Sequence, residues 1–270
     1  MIQIFNNYLK IDYCVIKFPD GTFNINVKSN YKYDNIIIKF SFSNFDELLI
    51  LYFLKKHFDN LNIKSTLDIK YFPFARMNRT YDSSEVFTLK YFCDFINSLN
   101  FDNVIVMDVH SNVTTALLNH VSERPLIELR KLANKYKNIY FPDEGARKRY
   151  GNLLDLSNKY IYTGSKRRNW STGVIEGLDI TYSHKSEDRS PILMIDDICS
   201  YGGTFFYSAD KLRDFGFNSI DAYCTHAEPV VNLPDSKIQF AFEKGLINKL
   251  YTTDTLLQAT YSKNIEIYHV

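Results

Sequence analysis

The sequence predicts an α/β chain of two similar domains, each a mostly parallel sheet flanked by helices. Two observations predict it. Short apolar strands alternate with amphipathic helices along most of the chain, a pattern that right-handed crossovers turn into parallel sheets covered on both faces. Two of those strands, Val104-Ile105-Val106-Met107-Asp108-Val109-His110 and Ile192-Leu193-Met194-Ile195-Asp196-Asp197, each end in a polar cluster, so one plan occurs twice. At 270 residues there is enough chain for two cores, and the boundary is expected near residue 120, giving domains 1–120 and 121–270.

The elements follow in order. Phe18-Pro19-Asp20-Gly21 reads as a turn feeding an alternating strand over 22–27, and the apolar run 36–42 reads as a second strand. Asn44, with Glu47 three residues on, forms a capping box for a helix over 45–58. A strand over 66–74 precedes a helix over 84–99 capped at Asp82 or Ser83, then a strand over 104–109 and a helix over 114–121. The second half continues with a helix over 127–136, a strand over 139–141 and a helix over 145–154. Strands over 160–163 and 192–195 follow, then a helix over 204–215 with Gly216 as its left-handed cap.

Composition excludes several classes of function. Hydrophobic residues at 45 % and charged residues at 23 % are those of an ordinary globular chain rather than a disordered or fibrous one. Lys plus Arg (32) nearly cancels Asp plus Glu (31), so no global field draws in nucleic acid or an acidic membrane, and any anion site must be local. The cysteines Cys14, Cys93, Cys199 and Cys224 are widely spaced with no CxxC pair, which argues against zinc or a disulfide scaffold and fits a reducing cytoplasm. The longest apolar stretch, 48–54, is far short of the roughly 20 residues that cross a bilayer, and the first ten residues lack the pattern of a signal peptide.

The chemistry concentrates in Asp196-Asp197-Ile198-Cys199-Ser200-Tyr201-Gly202-Gly203-Thr204. A buried strand delivers two carboxylates, and the paired glycines let backbone amides turn toward an anion where a helix begins. Arg76 and Arg79, in Tyr71-Phe72-Pro73-Phe74-Ala75-Arg76-Met77-Asn78-Arg79, could grip a polyphosphate bidentately or simply snorkel from an aromatic edge. His110 alone reads as a phosphate donor or a loop histidine, since magnesium prefers oxygen ligands. Asp143 alone could equally be a helix cap.

These segments together resemble the ribose-phosphate diphosphokinases, relatives of the type I phosphoribosyltransferases. The loop 196–204 is similar to their phosphoribosyl-pyrophosphate loop, and 71–79 is similar to the Tyr-Phe-Pro-Tyr-Ala-Arg-Gln-Asp-Arg signature that the transferases lack. Asp108-Val109-His110, Pro142-Asp143, Ser165-Lys166-Arg167-Arg168, Phe18-Pro19-Asp20-Gly21, Thr225-His226 and Thr253-Asp254-Thr255 match further family segments in the family's order. The resemblance implies two tandem type I phosphoribosyltransferase-like domains, the first on the ATP side and the second carrying the ribose-phosphate loop. It implies transfer of the terminal diphosphate of magnesium-ATP to the anomeric hydroxyl of a ribose 5-phosphate unit, with release of AMP.

By the same resemblance, Phe18, Asp20, Arg76, Arg79 and His110 bind ATP, and His110 and Asp143 serve the Mg2+. Asp196 and Asp197 hold the ribose hydroxyls. Ser200, Tyr201, Gly202, Gly203 and Thr204 hold the 5-phosphate. Lys166, Arg168 and Arg76 are the transition-state clamps, and 169–177 is a loop that closes over the phosphates. A homo-oligomer, at least a dimer, is implied because the Phe18 turn of this family reaches a neighbour's nucleotide.

Several positions depart from the family pattern. Ser200-Tyr201 replaces an acid and a threonine, Met77-Asn78 replaces Gln-Asp, and Thr22 replaces a glutamate. A lost charge and an added aromatic beside the 5-phosphate favour an acceptor substituted there. The loop is similar to that of a branch, found in phages and some bacteria, that pyrophosphorylates ADP-ribose for NAD rebuilding. The alternatives are ribose 5-phosphate as acceptor, giving phosphoribosyl pyrophosphate, and a catalytically silent homologue that binds nucleotide to regulate a partner.

Overall fold

The structure, a computed structural model, describes residues 1–28, 33–168, 175–183 and 187–270, with backbone alone for 166–168 and 175–178. The chain divides into two compact units, Met1–Pro125 and Leu126–Val270, where the sequence places the break near 120. Each is built on a seven-stranded sheet.

The first unit contains β1 (Ile2–Asn6), β2 (Leu9–Lys17), β3 (Phe23–Lys28), β4 (Asn35–Phe40), α1 (Asp46–Asn60), β5 (Lys64–Ile69), α2 (Thr88–Ser98), β6 (Asn103–Val106), α3 (Asn112–Leu117) and β7 (Val121–Glu123). The sheet order is β3-β2-β1-β4-β5-β6-β7. β4 through β7 run parallel, as crossovers through α1 and α2 require. β1, β2 and β3 add an antiparallel flank that short hairpins suffice to connect. Leu51, Leu54 and Phe58 of α1 and Leu89, Phe92 and Ile96 of α2 bury one face of each helix, at the three- and four-residue spacing that puts them on one stripe.

The second unit contains α4 (Ile127–Ala133), β8 (Asn138–Phe141), α5 (Glu144–Gly151), β9 (Tyr160–Arg168), β10 (Ile175–Tyr182), β11 (Ile192–Cys199), α6 (Gly203–Asp214), β12 (Ile220–Ala227), α7 (Lys237–Glu243), β13 (Leu250–Thr253) and β14 (Ile265–Tyr268). Its order is β10-β9-β8-β11-β12-β13-β14, parallel throughout except for the β9–β10 hairpin. β11 is central, and its Ile192, Leu193, Met194 and Ile195 are all buried, the continuous apolar run that a strand covered on both faces needs.

Local chemistry moves several predicted boundaries. The strand expected over 66–74 stops at Ile69, because the next residues form a loop in which Phe74 adopts φ +62°. Asp82 caps a turn through Ser84 N at 2.8 Å instead of a helix, so α2 begins only at Thr88. The helix expected over 114–121 ends at Leu117, and His120, at φ +51°, turns the chain into β7. The capping box expected at Asn44 forms only in part: Glu47 N donates to Asn44 Oδ1 (3.2 Å), but Glu47 Oε2 accepts from Ser43 N (3.0 Å) rather than from Asn44 N, and α1 begins at Asp46 with Phe45 as its N-cap. Gly216, at φ +99°, follows α6 as expected. Of the segment read as a closing loop, 169–174 lies outside the described residues, while Ile175 to Gly177 belong to β10. No described helix is long and apolar enough to cross a membrane.

Candidate active site

In the second unit Asp196, Asp197 and the candidate loop 200–204 stand at the carboxyl end of β11, the place where open α/β sheets present loops to ligands. Asp196 and Asp197 are adjacent there, and Asp197 N donates to Asp196 Oδ1 at 3.0 Å. Burial, then the charge of Asp197, then that of Asp143 hold the Asp196 carboxyl well above the ordinary carboxylate range. Asp197 is buried, and its Oδ1 lies 2.7 Å from Arg149 Nη1. Sequence reasoning missed Arg149, which sits in the run Arg147-Lys148-Arg149 that reads as a solvated face. Helical spacing does not single it out, because Arg147 and Arg149 stand symmetrically about Ala146 and Tyr150, the buried positions of α5.

The chain then turns through Ser200 and Tyr201 to Gly202, which stands at φ +84° as the N-cap of α6. A Cβ on Gly202 would lie 2.7 Å from Ile238 Cβ and 2.8 Å from Ile238 N, so glycine is required by both dihedral and space. Ile238 N donates to Tyr201 O at 3.2 Å, pinning the loop from the α7 side. Gly203 and Thr204 open the helix, with their amides at the positive end of its dipole, and Phe205 anchors the first turn in the core. The Tyr201 ring is 51 % exposed.

Asp143 does cap a helix. Its Oδ1 accepts from Ala146 N at 2.9 Å at the start of α5, which leaves the other carboxylate oxygen for further bonds. Lys166 and Arg168 lie on β9, opposite Leu178 and Ile175 of β10; their side chains are outside the described residues. Gly164, just upstream, passes so close to β8 that a Cβ would collide with the Tyr140 hydroxyl and come 2.6 Å from Pro142 O. The segments around His226 and Thr255 pack into one buried polar cluster: Thr255 Oγ1 lies 2.8 Å from His226 Nδ1 and 3.0 Å from Thr225 O, and Thr253 Oγ1 lies 2.7 Å from the same carbonyl.

In the first unit, Phe72 and Phe74 each pack on Phe92 with ring centroids at 5.2 Å. Met77 N bonds back to Phe74 O at 2.9 Å. This tight, aromatically anchored turn presents Arg76 at the surface. Arg79 is also exposed, with Nη2 donating to Tyr81 Oη at 3.0 Å. His110 is half-buried after β6, next to Ser111, whose side chain caps α3 through Val113 N. Phe18 and Asp20 occupy the β2–β3 hairpin turn, where Phe18 N bonds Thr22 O at 2.8 Å. Asp20 Oδ1 accepts from the Thr22 hydroxyl (2.7 Å) and amide (3.0 Å), and these bonds hold its carboxyl below the ordinary value. Thr22 therefore closes the turn at the position where the related pattern carries a glutamate.

No protein-family model matches the chain. Curated proteins do. The chain is 27 % identical to a ribose-phosphate pyrophosphokinase of Staphylococcus saprophyticus over 268 residues, covering 92 % of this chain and 78 % of that one. A second, from Shewanella oneidensis, is 27 % identical over 260 residues, covering 91 % and 78 %. The chain is similar to the ribose-phosphate pyrophosphokinases. Its fold agrees: the crystal structure of phosphoribosylpyrophosphate synthetase from Mycobacterium smegmatis superposes with a TM-score of 0.75 at 14 % identity, covering 98 % of this chain and 88 % of the other. Two mostly parallel sheets flanked by helices, in tandem, are thus the shared architecture.

Proposed function

We propose that the protein is a pyrophosphokinase that transfers the β,γ-diphosphate of ATP to the anomeric hydroxyl of a ribose 5-phosphate unit and releases AMP. The observation that carries this reading is the end of β11, where a carboxylate pair precedes a left-handed Gly202 opening α6. A ribose phosphate has the complementary pattern, hydroxyls at one end and a dianion at the other. Accepting hydroxyl hydrogen bonds relieves the raised Asp196, and Arg149 holds Asp197 in place. Ser200, Tyr201, Gly202, Gly203 and Thr204 hold the 5-phosphate through backbone amides and the Thr204 hydroxyl.

In the first unit, Arg76, Arg79 and His110 bind the triphosphate, and Phe18 and Asp20 serve the adenosine. Lys166, Arg168 and Arg76 neutralise the charge that builds on the transferring group. Catalysis then rests on positioning and charge rather than on a covalent intermediate.

Among the described residues no group of three or more His, Cys, Asp or Glu converges to hold a metal. Magnesium is commonly bound through one or two protein groups plus substrate phosphates. Asp143, with one oxygen beyond its cap bond, and His110 are the residues that would meet it, and the ion supplies charge neutralisation at the phosphates.

For the acceptor we favour ADP-ribose, giving ADP-ribose pyrophosphate, because an exposed Tyr201 beside the 5-phosphate loop offers a ring to a substituent there. Ribose 5-phosphate is the second reading, and the curated relatives bear its name. A homo-oligomer is part of the proposal: Phe18, at the tip of a hairpin, is 49 % exposed and free to reach a neighbour. Four free thiols suit a reducing cytoplasm.

The test is AMP formation from magnesium-ATP with ADP-ribose and ribose 5-phosphate offered separately, using Lys166→Ala as the blank. Turnover with ADP-ribose supports the favoured acceptor, turnover with ribose 5-phosphate alone supports the second, and AMP with neither sinks the enzyme reading in favour of a nucleotide-binding regulator.

A further inference from the structure

Beside the loop that ends β11 lies a group of side chains that the proposed reaction does not use. Lys237 opens α7 immediately before Ile238, the residue that bonds Tyr201 O and fills the space beside Gly202. Lys237 Nζ lies 5.3 Å from the ring centroid of Phe206 and 5.9 Å from that of Phe240. Lys244 Nζ approaches the same Phe206 ring at 5.6 Å. Phe206 belongs to the first turn of α6, since its amide bonds Gly202 O at 2.9 Å. Both ammonium groups therefore flank the helix turn that follows the phosphate loop.

Both lysines are exposed, and among the described residues neither pairs with a carboxylate, whereas Lys211 and Lys249 of the same unit do. Two like charges drawn to one ring repel each other, and an anion near both removes that repulsion. An exposed Tyr201, next to Gly202, and two ammonium groups over the first turn of α6 match a ligand that extends beyond the 5-phosphate through a further phosphate to a planar ring.

We infer that Lys237 and Lys244, with Tyr201, form an outer subsite that selects acceptors whose 5-phosphate is joined to a second phosphate and a base, that is, nucleoside-diphosphate riboses. The inference rests on the acceptor reading above and deepens it. Ribose 5-phosphate, which ends at the loop, gains nothing from the subsite, so selectivity is set by α7 and not by the carboxylates.

Titration calorimetry with ADP-ribose and with ribose 5-phosphate, on the wild type and on Lys237→Gln/Lys244→Gln, tests this without requiring turnover. Exposed charge contacts are each worth only a few-fold, so the ratio of the two affinities is expected to fall about tenfold in the double variant and to fall similarly in the wild type when salt is raised. An unchanged ratio, or a wild type that binds ADP-ribose no better than ribose 5-phosphate, overturns the subsite. Failure of the reaction itself reads out separately, as absence of AMP from a wild type whose binding ratio still depends on the lysines.

Discussion

Arg149 Nη1 lies 2.7 Å from Asp197 Oδ1, with both side chains largely withdrawn from water. The pair ties α5 to the end of β11 and so fixes the second carboxylate of the site. Removing one partner takes the ion pair from a buried charge, so Arg149→Met is expected to lower stability, by up to about 3–5 kcal/mol. Adding Asp197→Leu should restore part of that loss. Denaturant unfolding of both variants checks it, and a cost below about 1 kcal/mol for the single change would mean that the pair is screened by water.

Asp196 makes stability depend on pH in a definite direction. Burial and the Asp197 charge raise its carboxyl in the folded protein above the ordinary 3.8. Such a group favours folding fully only below its unfolded value, and that contribution is lost as pH rises through the folded value. Asp196→Asn keeps the shape without the charge. The variant is expected to melt about 2–4 °C above wild type at pH 8, the shift that roughly 1 kcal/mol gives a chain near this size, and to match it near pH 4. Its AMP formation should be lost, the exchange of stability for function that a destabilised site implies. Parallel melting curves across that range would remove the argument.

Much of this arrangement was legible before any coordinates. β11 announced itself as an unbroken apolar run ending in two acids, and the Phe18 hairpin as a proline-glycine turn. β1 and β2 were not read, because their turn has no glycine or proline: Asn7 takes φ +53° instead, a role asparagine fills without an obvious signal. β12 was read only as a motif, since its polar Thr225 and His226 break the apolar run, and their hydroxyl and carbonyl partners on β13 and the following turn are far away in sequence. Arg149 was hidden among like residues, and only its ion pair with Asp197 tells which of the three cations faces inward.

Chelation separates a cofactor that travels with substrate from one that is part of the fold. With no convergent ligand cluster among the described residues, excess EDTA is expected to abolish AMP formation while moving the melting temperature by less than about 1 °C. A large drop in melting temperature would reveal a resident structural ion.

Gly164 holds β9 against β8, and with it the strand that carries Lys166. A Cβ there meets the Tyr140 hydroxyl, which itself bonds Ser208 Oγ at 3.0 Å, and Pro142 O at 2.6 Å. Neither neighbour is a flexible chain end. Gly164→Ala is therefore expected to cost about 2 kcal/mol by overpacking and to lower kcat more than it raises the KM for ATP, since the clamp is displaced rather than removed. Unfolding alone lowers apparent kcat and leaves KM unchanged, so the rate is referred to the folded fraction measured by circular dichroism; a KM for ATP that rises as much as the corrected kcat falls would overturn the expectation.

The His226 cluster couples a ring tautomer to a chain of hydroxyls. Thr255 has one hydroxyl hydrogen and three neighbours, His226 Nδ1 at 2.8 Å, Thr225 O at 3.0 Å and Thr253 Oγ1 at 3.1 Å, while Thr253 Oγ1 also donates to Thr225 O at 2.7 Å. Nitrogen-15 NMR of the histidine rings reads the direction: the Nδ1–H form means that Thr255 accepts from His226 and donates to the carbonyl, and the Nε2–H form means that Thr255 donates to Nδ1. Thr255→Val removes the bonds to His226, Thr225 and Thr253 at once, at a cost of about 1–3 kcal/mol. Thr255→Ser keeps the hydroxyl and should recover most of it, which distinguishes loss of the hydrogen bond from loss of packing.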